Sequence, residues 1–229
     1  MMKTPLAEKL AENKVFASLT ESDLAQLAQL SIPRNYDEDE WMVLYGEVWP
    51  YLLWMEDGLI TALKESPAGR SLIVVTIKPG EIFWGTAFFN DDASMPVALI
   101  ADRASRMHLW SREKLLPILL RNGKMSWELS RLMVKFMQRA SDIVEELAFQ
   151  PITGRLARLL LDRYSGSNDS PVARDLTLDE MAAHIGSTRE MVCRALYRFS
   201  DDGLIEITRT EFLFTDQEKL EKLAQKGKR

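Results

Sequence analysis

Residues 177–216 constrain the chain most. Two short windows there, Thr177-Leu-Asp-Glu180 and Ser187-Thr-Arg-Glu190, each place a hydroxyl three residues ahead of a carboxylate. That is the spacing of a capping box, in which side chains satisfy the free amides at a helix start. Gly186 stands between the windows, and glycine takes the backbone angles a sharp inter-helix turn needs. The windows therefore predict two short helices crossing over a tight turn, a helix-turn-helix unit. Leu178, Met181, Ala182 and Ile185 form the expected inward stripe of the first helix; Met191, Val192, Ala195, Leu196 and Phe199 form that of the second. After Gly203, residues 204–209 and 212–215 read as two short strands, a wing.

The start of the second helix carries the chemistry. Arg189, Glu190 and Arg194 share one half of its surface. Arginine there can pair bidentately with guanine O6 and N7, and glutamate can accept from cytosine N4. The hydroxyls of Ser187 and Thr188, at the helix N-terminus, suit a phosphate, and Arg198 adds positive charge to the same helix. The plainer alternative is a helix cap flanked by solvated charges; the flanking pattern weighs against it.

The run Gly-Ser-Thr-Arg-Glu-Met-Val-Cys-Arg-Ala-Leu at 186–196, followed by Asp-Gly-Leu-Ile at 202–205, resembles the CRP/FNR family of bacterial transcription regulators. The resemblance covers the whole chain in order. It implies an α+β protein with an N-terminal double-stranded β-helix (jelly roll, like a cyclic-nucleotide-binding domain), a long dimerisation helix and a C-terminal winged helix-turn-helix. It implies that Arg189, Glu190 and Arg194 read bases in a palindrome with TGTGA-like half-sites, and that RNA polymerase is a partner if the protein is an activator. Cys193 lies where the fumarate-nitrate branch usually has Ser, so the branch and its half-site stay open.

Composition fits a two-domain protein: 229 residues hold enough apolar side chains for two cores. The net charge of −5 is unusual for a nucleic-acid binder, but it is unevenly placed. From residue 151 onward there are 13 Lys+Arg and 13 Asp+Glu; the preceding part holds 16 against 21 and carries the whole excess. An acidic body attached to a neutral reader keeps nonspecific DNA binding weak. One cysteine excludes an internal disulfide and a multi-cysteine metal or iron–sulfur site. No apolar run is long enough for a signal peptide or membrane span, so a cytoplasmic protein is expected.

Residues 5–30 read as one or two helices with Leu6, Leu10, Phe16, Leu24, Leu27 and Leu30 facing a core, the second capped at Thr20. Residues 31–111 alternate short apolar stretches (41–45, 51–55, 59–63, 71–77, 97–101, 106–110) with turn-rich points, which predicts an antiparallel sandwich or roll; the family resemblance implies the roll. Asp57-Gly58 and Lys78-Pro79-Gly80-Glu81 are expected at its sharp turns. By the family resemblance a phosphate-binding cassette would occupy residues 80–97. There Thr86 stands in place of the expected Glu, and Met95-Pro96 in place of Arg-Ser. Without a cation for the phosphate or a carboxylate for the ribose, charge-assisted recognition is lost, so cyclic AMP is not the expected effector.

All six Trp lie within the first 127 residues, near Phe83, Phe88 and Phe89. Trp84, Thr86, Phe88, Phe89 and Met95 are therefore candidates to line an effector pocket; the alternative is that the rings fill the roll. A third reading has no effector at all. No cofactor is expected from these residues. Two His are too few for a metal-dependent enzyme of this fold; His184 is read as a packing or surface residue. His108, on a strand near the end of the roll, is read first as a structural residue; a haem ligand there, in a haem-based redox or gas sensor, is the alternative.

Residues 112–149 read as a short helix broken at Asn122-Gly123 and a long one after it. Leu129, Met133, Phe136, Ala140, Ile143 and Leu147 follow a 4-3 repeat, the pattern of a coiled-coil seam, and predict a homodimer interface; the alternative is burial against the chain's own roll, which the strict spacing weighs against. Pro151 ends the long helix. The boundaries are then 1–122 for the sensor, 123–150 for the dimerisation helix and hinge, and 151–229 for the DNA-binding domain. Residues 152–164 should form the reader's first helix, 165–174 a polar loop, and 216–229 a charged helix whose Lys226-Gly-Lys-Arg229 end is read as a frayed, solvated terminus, with contact to DNA backbone as the alternative. No part of this pattern supports catalysis.

Overall fold

A computed structural model describes residues 5–164 and 170–225. Two compact units emerge: one contains the chain up to Lys64 and Val74–Arg139, the other Glu65–Ile73 and the chain from Ala140.

In the first unit, helices α1 (Pro5–Glu12) and α2 (Glu21–Leu30) precede strands β1 (Ile32–Tyr36), β2 (Trp41–Val43), β3 (Tyr51–Glu65), β4 (Ser71–Ile77), β5 (Ile82–Trp84) and β6 (Ala98–Ser111). Thr20 Oγ1 accepts from the Asp23 amide at 3.1 Å and starts α2 as expected. The sheet runs β1-β6-β3-β4, with β2 on β6 and β5 on β3. The pairings of β3 with β5 and β6, and of β6 with β1 and β2, are antiparallel. This is the antiparallel arrangement the alternating pattern predicts and the roll the resemblance implies, with two differences. The expected turn at Asp57-Gly58 is a bulge inside the long β3, where the register against β6 shifts. Gly58 has φ +102°, and a Cβ there would lie 2.2 Å from Ser105 Oγ, so only glycine lets the two strands stay paired. Strand β1, not marked by the sequence, has a mostly exposed face and no apolar alternation to announce it. The turn at 78–81 is as expected, closed by a Glu81 amide bond to the Lys78 carbonyl at 3.0 Å.

Leu10, Phe16, Leu24 and Leu27 are buried with Trp110, whose Nε1 donates to the Leu27 carbonyl at 2.8 Å. Helix α3 (Arg112–Arg121) leads into α4 (Gly123–Phe149), capped by Asn122 Oδ1 accepting from the Met125 amide at 3.0 Å.

In the second unit, α5 (Ile152–Tyr164), α6 (Leu178–Ile185), α7 (Arg189–Asp201) and α8 (Gln217–Gln225) surround a core of Leu156, Leu160, Met181, Val192, Phe199 and Phe212. The wing has three strands, in the order β7 (Val172–Ala173), β9 (Glu211–Phe214), β8 (Ile205–Ile207). The first of these falls in what the sequence marks as a polar loop; a two-residue strand is too short to show periodicity. Asp175 ties this segment to α5: it accepts from Tyr164 Oη at 2.5 Å and pairs with Arg163. The Arg163 hydrogen bond, foremost, holds the Asp175 carboxyl down at about 2. Residues 165–169 and the Lys226–Arg229 end lie outside the described residues.

Candidate nucleic-acid interface

Local capping builds the reader. Thr177 and Glu180 form a complete capping box: the Thr177 amide donates to Glu180 Oε2 at 2.6 Å, and the Glu180 amide to Thr177 Oγ1 at 3.2 Å. Gly186 closes α6 in the left-handed region (φ 59°, ψ 48°), and a Cβ there would meet Leu147 Cδ2 at 2.6 Å. The second helix opens one residue later than its sequence spacing predicts. Ser187 is buried and its amide donates to the Ala182 carbonyl at 2.9 Å, so it finishes the first helix. Thr188 is the N-cap, its Oγ1 accepting from the Met191 amide at 3.3 Å.

The outer face of α7 presents the expected charges. Arg189 pairs with Asp179 at 3.0 Å, Arg194 with Glu190 at 2.5 Å, and Arg198 with Asp202 at 3.6 Å. All six side chains are more than half exposed, so each pair is screened by water and contributes about 0–1 kcal/mol. Such pairs hold the guanidinium groups extended yet exchange cheaply for a phosphate or a base. Ser187 is the member of the expected set that the fold withdraws.

Met191 departs from expectation: it is 36% exposed, where the sequence stripe assigned it to the core. The inward stripe is Val192, Ala195, Leu196 and Phe199, and Met191 lies one residue, about 100°, off it. Tyr197, three residues after Arg194 and exposed, extends the same outer face; the sequence signal was its position off the stripe.

The candidate effector residues differ in burial: Trp84 and Thr86 are half-buried and Phe89 is exposed. Phe88 and Met95 are buried at 2% and 1% exposure. Trp84 meets Phe89 and Phe136 edge-on, at ring-centre distances of 5.9 and 5.0 Å, and Thr86 Oγ1 donates to the Ser94 carbonyl at 2.9 Å. Gly85 lies so close under Trp49 that a Cβ would fall 1.7 Å from the Trp49 carbonyl oxygen. These rings pack on each other. His108 has Ser31 Oγ 3.2 Å from Nδ1 and Glu56 Oε2 3.6 Å from Nε2. Burial, against the pull of Glu56, keeps its pKa below the ordinary value, so the ring is neutral near pH 7. His184 is likewise held low by burial. Among the described residues no cluster of three or more His, Cys, Asp or Glu could hold a metal, and no helix is long and apolar enough to cross a membrane.

The long helix carries two apolar stripes. Leu129 is buried in the chain's own core, and Phe136 packs against Phe83 and Trp84 at 6.0 and 5.0 Å, so the front of the stripe predicted as the dimer seam is already covered. Met133 and Ile143 are half-buried; Ala140 and Leu147 are exposed. The uncovered stripe is Trp127, Ser130, Val134, Met137, Ser141, Val144 and Ala148, again spaced 3 and 4.

A helix-turn-helix with a wing and an arginine-bearing second helix defines a DNA-binding domain, and the comparisons agree. Residues 154–223 match the Crp-like helix-turn-helix domain family. The chain is 25% identical over 224 residues, covering 95% of it and 99% of its relative, to a CRP-like cAMP-activated global transcriptional regulator of Mycobacterium tuberculosis. The structure of a regulator assigned to the CRP/FNR family from Eubacterium rectale aligns at TM-score 0.76 with 18% identity, over 92% of this chain and 97% of that one. The c-di-GMP responsive global regulator CLP of Xanthomonas campestris aligns at 0.74 with 19% identity, over 85% and 99%. Residues 154–223 thus carry a Crp-like helix-turn-helix domain, and the chain as a whole is similar in sequence to CRP-like transcription regulators and in fold to structures of the CRP/FNR family.

Proposed function

We propose that the protein is a homodimeric, sequence-specific DNA-binding regulator that reads a palindrome with TGTGA-like arms. The observation that carries this reading is the outer face of α7, where Arg189, Glu190 and Arg194 stand exposed with only screened partners. Arg189 and Arg194 reach guanines, Glu190 a cytosine, and Thr188 and Arg198 the phosphates. Two-fold symmetry sets the half-sites about one helical turn apart. RNA polymerase is its partner if it activates, and the work is done in the cytoplasm.

The dimer forms along the uncovered stripe of α4. Trp127, Val134, Met137 and Val144 are 66, 48, 66 and 66% exposed, an arrangement that a second copy of the helix would bury. An effector at the roll controls the reader. It is not cyclic AMP, because Thr86 and Met95-Pro96 offer neither carboxylate nor cation, and packed rings surround them.

The test is selection of the purified, ligand-free protein on a randomised DNA pool, followed by sequencing. The expected outcome is a palindrome, with Arg189→Ala losing about 1–3 kcal/mol of discrimination at one arm position. Full sequence preference in that variant at moderate salt overturns the readout.

A further inference from the structure

A cavity of about 1170 Å³ opens in the first unit beside the N-terminal half of α4. It lies apart from Trp84, Thr86, Phe88, Phe89 and Met95, none of which lines it. One wall is apolar and aromatic: Val75 and Ile77 of β4, with Trp127 and Phe136 of α4. Its floor is fixed where Asn13 Nδ2 donates to the Gly80 carbonyl at 2.6 Å, joining the loop after α1 to the turn after β4.

The charge around the opening is uneven. Four cations line it, Lys14, Lys124, Arg131 and Lys135, against two carboxylates. Both carboxylates are engaged: Glu128 takes Arg131 at 3.2 Å, and Glu81 accepts the Lys78 amide at 2.8 Å. The three lysines are left without a carboxylate of their own among the described residues. Gly123 and Lys124, in the first turn of α4, also line the cavity, so the positive end of the helix dipole adds to the lysines. In a sensor half whose net charge is negative, this is a local reversal of sign beside an exposed indole.

We infer that this cavity binds an organic anion bearing an aromatic ring: the ring lies against Trp127 and Phe136, and the anionic group meets Lys14, Lys124 and Lys135. The inference rests on the reading that an effector acts at the sensor half, and it moves the site from the cassette to the flank of α4. Trp127 belongs both to the cavity and to the uncovered stripe, so an occupied cavity alters what α4 presents to a second copy.

The test is fluorescence titration of the full chain with 8-anilinonaphthalene-1-sulfonate, an aromatic anion, and with uncharged N-phenyl-1-naphthylamine. The expected result is one saturable sulfonate site per protomer, weakened at least tenfold in Lys14→Ala/Lys124→Ala/Lys135→Ala, with the uncharged analogue at least tenfold weaker on the unmodified protein. Competition with 1-naphthyl phosphate and with adenosine 5′-monophosphate separates a simple aryl anion from a nucleotide; displacement by either supports the site. No saturable binding, a smaller loss in the triple variant, an uncharged analogue that binds equally, or displacement by neither competitor overturns it. DNA selection with the same variant is read in parallel: an unchanged palindrome beside lost sulfonate binding keeps the two readings separate.

Discussion

The choice between the two stripes of α4 can be decided by Met137→Lys/Val144→Lys. Both positions are d-type in the uncovered repeat, so in a parallel dimer each faces its own copy. Each side chain is 66% exposed in one protomer. Burying a whole Met or Val is worth about 1.5–3 kcal/mol, so the two-thirds left for a partner is worth about 1–2 kcal/mol per side chain. Four such side chains meet in a dimer, and their loss costs about 5 kcal/mol, or roughly three to four decades in dissociation constant. Lysine facing lysine adds repulsion. Lysine is also a good helix former, so α4 itself should survive. Sedimentation equilibrium over a range of concentrations measures the shift, with far-UV circular dichroism confirming unchanged helix content. A double variant that dimerises as tightly as the unmodified protein refutes the assignment. The complementary variant Leu129→Ala should lower stability by about 2–5 kcal/mol, because Leu129 is 2% exposed in the protomer's own core, and leave dimerisation intact.

Three further outcomes follow from individual contacts. Asp175 is held at about 2 by Arg163, below its ordinary 3.8, so its carboxylate stabilises the fold above about pH 4 and that contribution is lost as the pH falls toward 2. The shift corresponds to at most about 2.4 kcal/mol, and solvent screening of a half-exposed pair reduces this to about 1 kcal/mol. Asp175→Asn should therefore lose about that much in urea denaturation at pH 7, with the difference from the unmodified protein closing below pH 4. Gly85→Ala places a methyl against the Trp49 carbonyl oxygen and should cost about 3 kcal/mol, seen as a depressed thermal midpoint; a normal midpoint refutes the close approach. Gln150 is buried with neither side-chain polar atom hydrogen-bonded, so Gln150→Leu should stabilise by about 1 kcal/mol in denaturant titration, and a destabilised variant shows that an unseen partner exists.

What the sequence determined is what a few neighbouring residues decide. The capping box at Thr177–Glu180, the left-handed Gly186 and the charges after it specify the helix-turn-helix, because each interaction closes within four residues. The Lys78–Glu81 turn was legible for the same reason. The tertiary structure decided the rest. Asp57-Gly58 has the composition of a turn but is a bulge, because Ser105 of β6 packs directly against Gly58 and its Oγ accepts from the Leu59 amide. Met191 lay on a plausible apolar repeat, yet its position 100° from Val192 puts it outside the core. Aromatic residues near Phe89 read as a pocket or, by preference, as filling, and only the tertiary structure shows Phe136 of α4 packed edge-on against Trp84. The two stripes of α4 both satisfy a 3-4 repeat, and spacing cannot say which faces the chain's own roll. That choice depends on where Phe83, Trp84 and Trp110 stand, and those positions are set by long-range strand pairing rather than by the helix itself.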